Sequence, residues 1–183
     1  MEATETKLKG CYILEPTIYE DSRGYFFESY NEERLENILG YKPTFVQDNQ
    51  SNSSYGVIRG LHMQEGECSQ AKLVRVLEGA VIDVAVDVRP ESETFGQSVA
   101  VELSAENRKQ LFIPRGFLHG FSVISEKATF FYKCDNGYNK ESENGVHPLD
   151  TSLGIDWKIP IEKMIISEKD MEAQSFSDFR LKN

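Results

Sequence analysis

Lys72-Leu73-Val74-Arg75-Val76-Leu77-Glu78-Gly79-Ala80-Val81-Ile82-Asp83-Val84-Ala85-Val86-Asp87-Val88 is the stretch on which the fold turns. Two apolar, β-branched runs, 72–77 and 80–88, flank the turn pair Glu78-Gly79, so the segment reads as strand, tight reversal and strand. Successive strand residues point to opposite faces. Ile82, Val84, Val86 and Val88 therefore make one uninterrupted apolar face, and Asp83 and Asp87 point the other way. The same rhythm runs on through 98–103, 110–113, 118–124 and 129–134. Its punctuation is Arg89-Pro90, Ser104-Ala105-Glu106-Asn107, Pro114-x-Gly116 and Ser125-Glu126-Lys127. Short strands so regularly spaced predict an all-β sandwich or barrel, closed so that its edges do not invite aggregation.

Some of these faces mix polar with apolar groups, as the lining of a ligand-holding barrel would. Gln47 and Asn49 share a face, as do Phe130, Tyr132 and Cys134, and Phe117, His119, Phe121 and Val123. Upstream stands one amphipathic helix. Asn31 is its expected N-cap, Glu32 and Glu33 suit the positive end, Leu35, Ile38 and Leu39 share a side, and Gly40 ends it. No internal repeat or low-complexity tract is present. Past Ser142 the pattern loosens, and the tail after Gln174 is expected to be poorly ordered or to dock on a partner subunit.

The 183 residues, 39% hydrophobic and 11% aromatic, are expected to form one domain over 1–183 with a core that needs no staples. A formal charge of -10 repels polynucleotides and anionic lipid, so no nucleic acid and no membrane is expected as partner. An anionic small molecule would have to be held by a local cluster of cations. Cys11, Cys68 and Cys134 are odd in number and lack a Cys-x-x-Cys spacing, which favours a reducing compartment over a disulfide framework or thiolate zinc site. The N-terminus has no secretory pattern and no apolar run is long enough for a membrane span, so a cytoplasmic location is expected.

Of the three histidines, His62 and His119 sit in segments that read as chemistry, Arg59-Gly60-Leu61-His62-Met63-Gln64 and Ile113-Pro114-Arg115-Gly116-Phe117-Leu118-His119-Gly120-Phe121. An imidazole can take and return protons near neutral pH. Pro114-x-Gly116-x-x-His119 resembles the second motif of the cupin superfamily, whose small jelly roll usually holds a metal. The first cupin motif would need His-x-His, and here only His62 stands there. A site of His62, His119 and Glu65 or Glu67 is the weaker alternative, and no metal is expected.

Over nearly the whole chain the sequence is similar to the dTDP-4-dehydrorhamnose 3,5-epimerase family of cupin-fold enzymes. Segments 20–29, 45–49, 57–64, 70–76, 103–107, 113–121, 132–134, 154–157 and 166–170 carry the resemblance, in that order. It implies a cupin-type jelly-roll β-barrel with a few short helices. It also implies an isomerase that needs no cofactor, acts on a nucleotide-sugar substrate, and works as a homodimer in which the segment from Arg23 to Glu28 serves the neighbour's site. The implied chemistry follows from the ketone at C4, which makes the hydrogens on C3 and C5 acidic. Inversion needs a base on one face, a proton source on the other and a cation or donor beside the enolate oxygen.

By resemblance His62 is the base, Asp170 its dyad partner, Lys72 the cation beside the keto oxygen and Tyr132 the opposite-face acid. Read from residues alone, Ser167-Glu168-Lys169-Asp170 is a capping box, its carboxylate serving a helix N-terminus, and only the resemblance gives Asp170 the dyad role. Arg23, Arg59 and Lys169 would meet the diphosphate, Gln47 and Asn49 the base or pyrophosphate, Phe26 and Tyr138 would stack, Glu28 and Glu143 would take hydroxyl or imide protons, and His119 would touch the sugar. The chain departs from the family at Gly137-Tyr138, where two tyrosines are usual, at Met63, where an aromatic is usual, and around His147-Pro148-Leu149-Asp150, where a Trp is expected. The rival readings are an epimerase acting at C3 alone or a related ketoisomerase, and a non-catalytic sugar-nucleotide-binding cupin.

Overall fold

The structure, a computed structural model, describes residues 1–181. In chain order the elements are β1 (Glu2–Glu5), β2 (Tyr12–Glu15), β3 (Tyr19–Asp21), β4 (Gly24–Phe26), α1 (Glu32–Leu39), β5 (Gln47–Ser54), β6 (Val57–Gln64), β7 (Lys72–Glu78) and β8 (Ala80–Asp87). They continue with β9 (Ser98–Ser104), β10 (Gln110–Ile113), β11 (Phe117–Val123), β12 (Lys127–Cys134), β13 (Glu143–Gly145), β14 (Ile165–Ile166) and α2 (Glu168–Met171). One sheet has the order β1-β2-β10-β7-β12-β5 and the other β13-β6-β11-β8-β9, with β14 added in parallel to β6. Consecutive strands so often lie in opposite sheets that the two close into the jelly-roll barrel expected, with few and short helices.

Every strand expected between 72 and 134 is present within two residues of its expected limits. The turn at Glu78-Gly79 needs glycine. Gly79 has φ +75, and a Cβ there would lie 1.9 Å from the carbonyl oxygen of Lys127. Helix α1 also forms as expected, with the Asn31 side chain accepting from the Arg34 backbone N–H and Gly40 closing the end at φ 74. Its buried Leu35 caps a cluster with Leu14, Leu73 and Phe112 on the outside of the first sheet.

The two faces of β8 divide the molecule. Val81 and Ala85 point between the sheets and pack with Val74, Leu111, Phe121, Val123 and Phe130. Asp83 and Asp87 share that interior side and are fully buried. The apolar face of Ile82, Val84, Val86 and Val88 turns outward. It is covered by the chain's last third, through Leu153, Trp157 and Phe179. This corrects the expectation for the tail after Gln174. Phe179 is buried and Phe176 packs beside it at 6.3 Å between ring centroids, so residues 175–181 cover the chain's own sheet. Lys182 and Asn183 lie outside the described residues. The reason is hydrophobic: a face of four aliphatic side chains must be removed from water, and this segment does it.

Candidate active site

Strands β6 and β11 are antiparallel neighbours, and His62 stands directly opposite His119 in their register. Paired residues in a sheet project to the same side, so both imidazoles face the space between the sheets. Two glycines permit it. A Cβ on Gly60 would lie 2.6 Å from the His119 carbonyl oxygen, and one on Gly145 would lie 2.5 Å from the Leu61 carbonyl and 3.3 Å from the His62 ring. The strands can thus approach closely where the imidazoles need room.

Asp170 reaches His62 from 108 positions downstream. Strand β14 runs parallel to β6, with Ile165 opposite Val57 and Ile166 opposite Ile58, and delivers α2 to the mouth of the barrel. Ser167 then caps the helix, its side chain accepting from the Asp170 backbone N–H at 3.2 Å. The capping reading is therefore right about Ser167. The Asp170 carboxylate instead lies 2.6 Å from His62 Nε2, and it also accepts from the Gly60 backbone. Burial raises the Asp170 pKa, but the bond to His62, the nearby imidazole charge and the Ser167 and Gly60 donors outweigh it and hold the carboxyl below its ordinary value. The carboxylate is buried and the imidazole side chain one-third exposed.

The imidazole borders a cavity of about 510 Å³ whose walls include Arg59, Lys72, His119, Phe130, Tyr132 and Lys169. A second hollow of about 310 Å³ continues from the shared residues His62, Lys72 and Tyr132 to Gln47, Asn49, Tyr138 and Glu143. Lys72 begins β7 opposite Cys134 of β12, two residues from Tyr132, and its ammonium lies 6.0 Å from the Tyr132 ring centroid. Burial lowers the Lys72 pKa, opposed by the negative charge that Cys134, Asp83 and Glu143 can carry. Burial raises the Tyr132 pKa, with Cys134 adding to it and Arg59 opposing. A cation eager to share a proton and a phenol reluctant to lose one thus stand together opposite a histidine.

Around this centre Arg59 donates from Nε to Ser53 at 3.1 Å. Lys169 pairs with Glu143 at 2.7 Å, and the Tyr138 hydroxyl donates to the same carboxylate at 3.1 Å. Gln47 accepts from the Tyr138 backbone N–H at 3.2 Å and donates to Asn49 at 2.9 Å. The structure therefore gathers His62, Asp170, Lys72, Tyr132, Arg59, His119, Lys169, Gln47, Asn49, Tyr138 and Glu143 along one cleft.

Arg23, Phe26 and Glu28 are not brought there. Arg23 sits in the β3–β4 turn and pairs with Asp21. Phe26 is 68% exposed on the same hairpin, and Glu28 accepts from Asn31. The residue that sequence reasoning passed over is Asp83, which lies 2.8 Å from His119 Nε2. Its signal was the charge interrupting an otherwise aliphatic strand on the face opposite the clean one. For the alternative metal site, Glu65 accepts from Asn144 at 2.8 Å, and among the described residues no group of three His, Cys, Asp or Glu side chains gathers to hold an ion. Nor is any helix among the described residues long and apolar enough to cross a membrane.

Residues 5–178 match the dTDP-4-dehydrorhamnose 3,5-epimerase family. A protein of that name from Escherichia coli (strain K12) is 51% identical over 170 residues, 93% of this chain and 91% of its own. The crystal structure of the dTDP-4-dehydrorhamnose 3,5-epimerase from Elizabethkingia anophelis NUHP1 superposes with a TM-score of 0.94 at 60% identity, covering 97% of both chains. That of dTDP-6-deoxy-D-glucose-3,5-epimerase from Legionella pneumophila Philadelphia 1, in complex with dTDP-4-keto-L-rhamnose, does so at 0.93 and 48% identity, covering 98% of this chain and 94% of its own. With a jelly-roll cleft around paired histidine and aspartate, and likeness along almost its full length, this chain belongs to the dTDP-4-dehydrorhamnose 3,5-epimerase family.

Proposed function

We propose that this protein is an isomerase that epimerises dTDP-4-dehydro-6-deoxy-D-glucose at C3 and C5, giving dTDP-4-dehydro-L-rhamnose for deoxysugar nucleotide biosynthesis. The observation that carries the reading is the His62–Asp170 contact of 2.6 Å at the wall of a cavity that also presents Lys72 and Tyr132. His62 removes the proton next to the ketone. Asp170 accepts from Nε2–H, which leaves Nδ1 as the basic nitrogen and stabilises the imidazolium once it forms. Lys72 meets the charge growing on the C4 oxygen, where a donor in a site shielded from water acts most strongly. Tyr132 returns a proton from the opposite face. Arg59 and Lys169 hold the diphosphate, Gln47, Asn49 and Glu143 orient the nucleotide, Tyr138 stacks on its base and His119 touches the sugar.

The chain acts as one domain and as a homodimer. Arg23, Phe26 and Glu28 reach a second copy's cleft, a reading supported by a hairpin that exposes Tyr19, Tyr25 and Phe26 and contributes no residue to the lining of its own chain's cleft among the described residues. Three free cysteines suit the cytoplasm. The test is incubation of the 4-keto sugar nucleotide in heavy water, with C3 and C5 followed by NMR. Deuterium is expected at both positions, and His62→Asn abolishes incorporation. Exchange at C3 alone selects the single-centre epimerase, and binding without exchange selects the non-catalytic sugar-nucleotide protein.

A further inference from the structure

A second imidazole–carboxylate pair stands at the cavity wall, with His119 lining the cavity and Asp83 buried behind it. Asp83 projects from β8 into the space between the sheets and is fully buried. Its Oδ1 lies 2.8 Å from His119 Nε2, while Oδ2 has no hydrogen-bond partner among the described residues. An unmatched buried oxygen destabilises the fold, so its retention calls for a compensating role. The His119 ring cannot swivel to present its other edge. It lies over Phe130 at 6.0 Å between centroids with planes 24° apart, and Phe130 is itself stacked on Phe121 at 4.2 Å.

We propose that Asp83 is a positioning residue for the epimerisation: it holds His119 as the Nε2–H tautomer, so that Nδ1 meets a sugar hydroxyl as an acceptor, and its second oxygen provides the counter-charge for the Lys72 ammonium. The first half follows from geometry. An ionised carboxylate only accepts hydrogen bonds, so the nitrogen facing it must carry the proton and the other nitrogen must be bare. A bare Nδ1 cannot donate to the keto oxygen, which leaves that task to Lys72. The second half follows from the surroundings of Lys72. Lys72 shares the cleft with His62 from β6, His119 from β11, Tyr132 and Cys134 from β12, Glu143 from β13 and the cations Arg59 and Lys169, and Asp83 of β8 stands directly behind His119 on the same interior side. Asp83 is near enough for its charge to raise the Lys72 pKa against burial. Glu143 is already engaged by Lys169 and Tyr138, and burial raises the Cys134 thiol pKa, which keeps it neutral.

The proposal rests on the reading of Lys72 as the cation at the enolate, and its test needs no turnover. Full-length protein labelled with 15N-histidine and 13C-lysine is examined by NMR across alkaline pH. In the wild type His119 is expected as the Nε2–H tautomer. Asp83→Asn, which keeps an acceptor and loses the charge, should retain that tautomer and lower the Lys72 titration midpoint by roughly one pH unit. Asp83→Ala should mix the tautomers as well, and both variants should lose kcat while binding dTDP within twofold of the wild type. A wild-type His119 with the proton on Nδ1 overturns the proposal without any variant, as does an unmoved Lys72 midpoint in folded Asp83→Asn. Absence of deuterium exchange in the wild type would instead sink the functional reading and leave the tautomer result standing.

Discussion

At the scale of single residues, the cleft gives similar groups different surroundings, which suits the proposed division between proton transfer and charge stabilisation. His62 has one nitrogen fixed by a buried carboxylate and its ring partly open, whereas His119 is buried and wedged against Phe130. Tyr132 holds its proton more firmly than an ordinary phenol because burial penalises the phenolate. That suits a group that must give a proton to a carbanion and not lose it to water. Tyr132→Phe should therefore slow inversion by roughly 10²–10⁴-fold, while His62 still exchanges the acidic hydrogens with solvent. Deuterium wash-in and product formation measured on one sample decide it. An equal fall in both would remove Tyr132 from the opposite face.

At the scale of elements, the end of β8 shows how a buried charge can organise a loop. Asp87 accepts from Arg89 Nη2 at 2.6 Å, Ser92 Oγ at 2.6 Å and Thr94 Oγ1 at 2.7 Å. The guanidinium of Arg89 also lies 4.6 Å from the Phe117 ring centroid, which ties the loop to the start of β11. Burial works against the Asp87 charge, but these donors prevail and lower its pKa from 3.8 to about 2. A carboxylate whose folded pKa lies below its unfolded one contributes stability above the unfolded value and loses it as pH falls toward the folded value. Here the window runs from about pH 4 to pH 2, and the contribution is on the order of 2 kcal/mol. Asp87→Asn should be less stable at pH 7 and lose less between pH 7 and pH 3. Urea midpoints at the two pH values check this, and parallel losses in both proteins would contradict it.

At the scale of the whole molecule, the β3–β4 hairpin lines a hollow of its own and contributes none of the walls of the His62 cleft among the described residues. If two copies exchange hairpins, light scattering should give twice the 20.8 kDa of one chain. Mixing inactive Arg23→Ala with inactive His62→Asn should restore activity, because one hybrid cleft then has both native residues. A mixture that stays inactive would assign Arg23 to its own chain's cleft. The strands from Lys72 to Cys134 were legible as sequence because alternation and glycine turns are local properties, and α1 because its caps are. Strand β5, Gln47–Ser54, was hidden. It is wholly polar, since an edge strand beside a wet cleft buries little, and only the shared face of Gln47 and Asn49 hinted at it. Whether the clean face of β8 looked into the barrel or out of it was likewise undecidable, because alternation separates two faces without saying which one another segment will cover. The sequence alone determined the strand rhythm and the formal charge of -10, and resemblance singled out His62, Lys72, Tyr132 and Asp170 as candidate site residues. Only the tertiary structure decided that Asp170 leaves its capping role to Ser167 and turns to an imidazole 108 residues away, and that Asp83 stands behind His119. Such contacts depend on how two sheets close, and no local pattern encodes that closure.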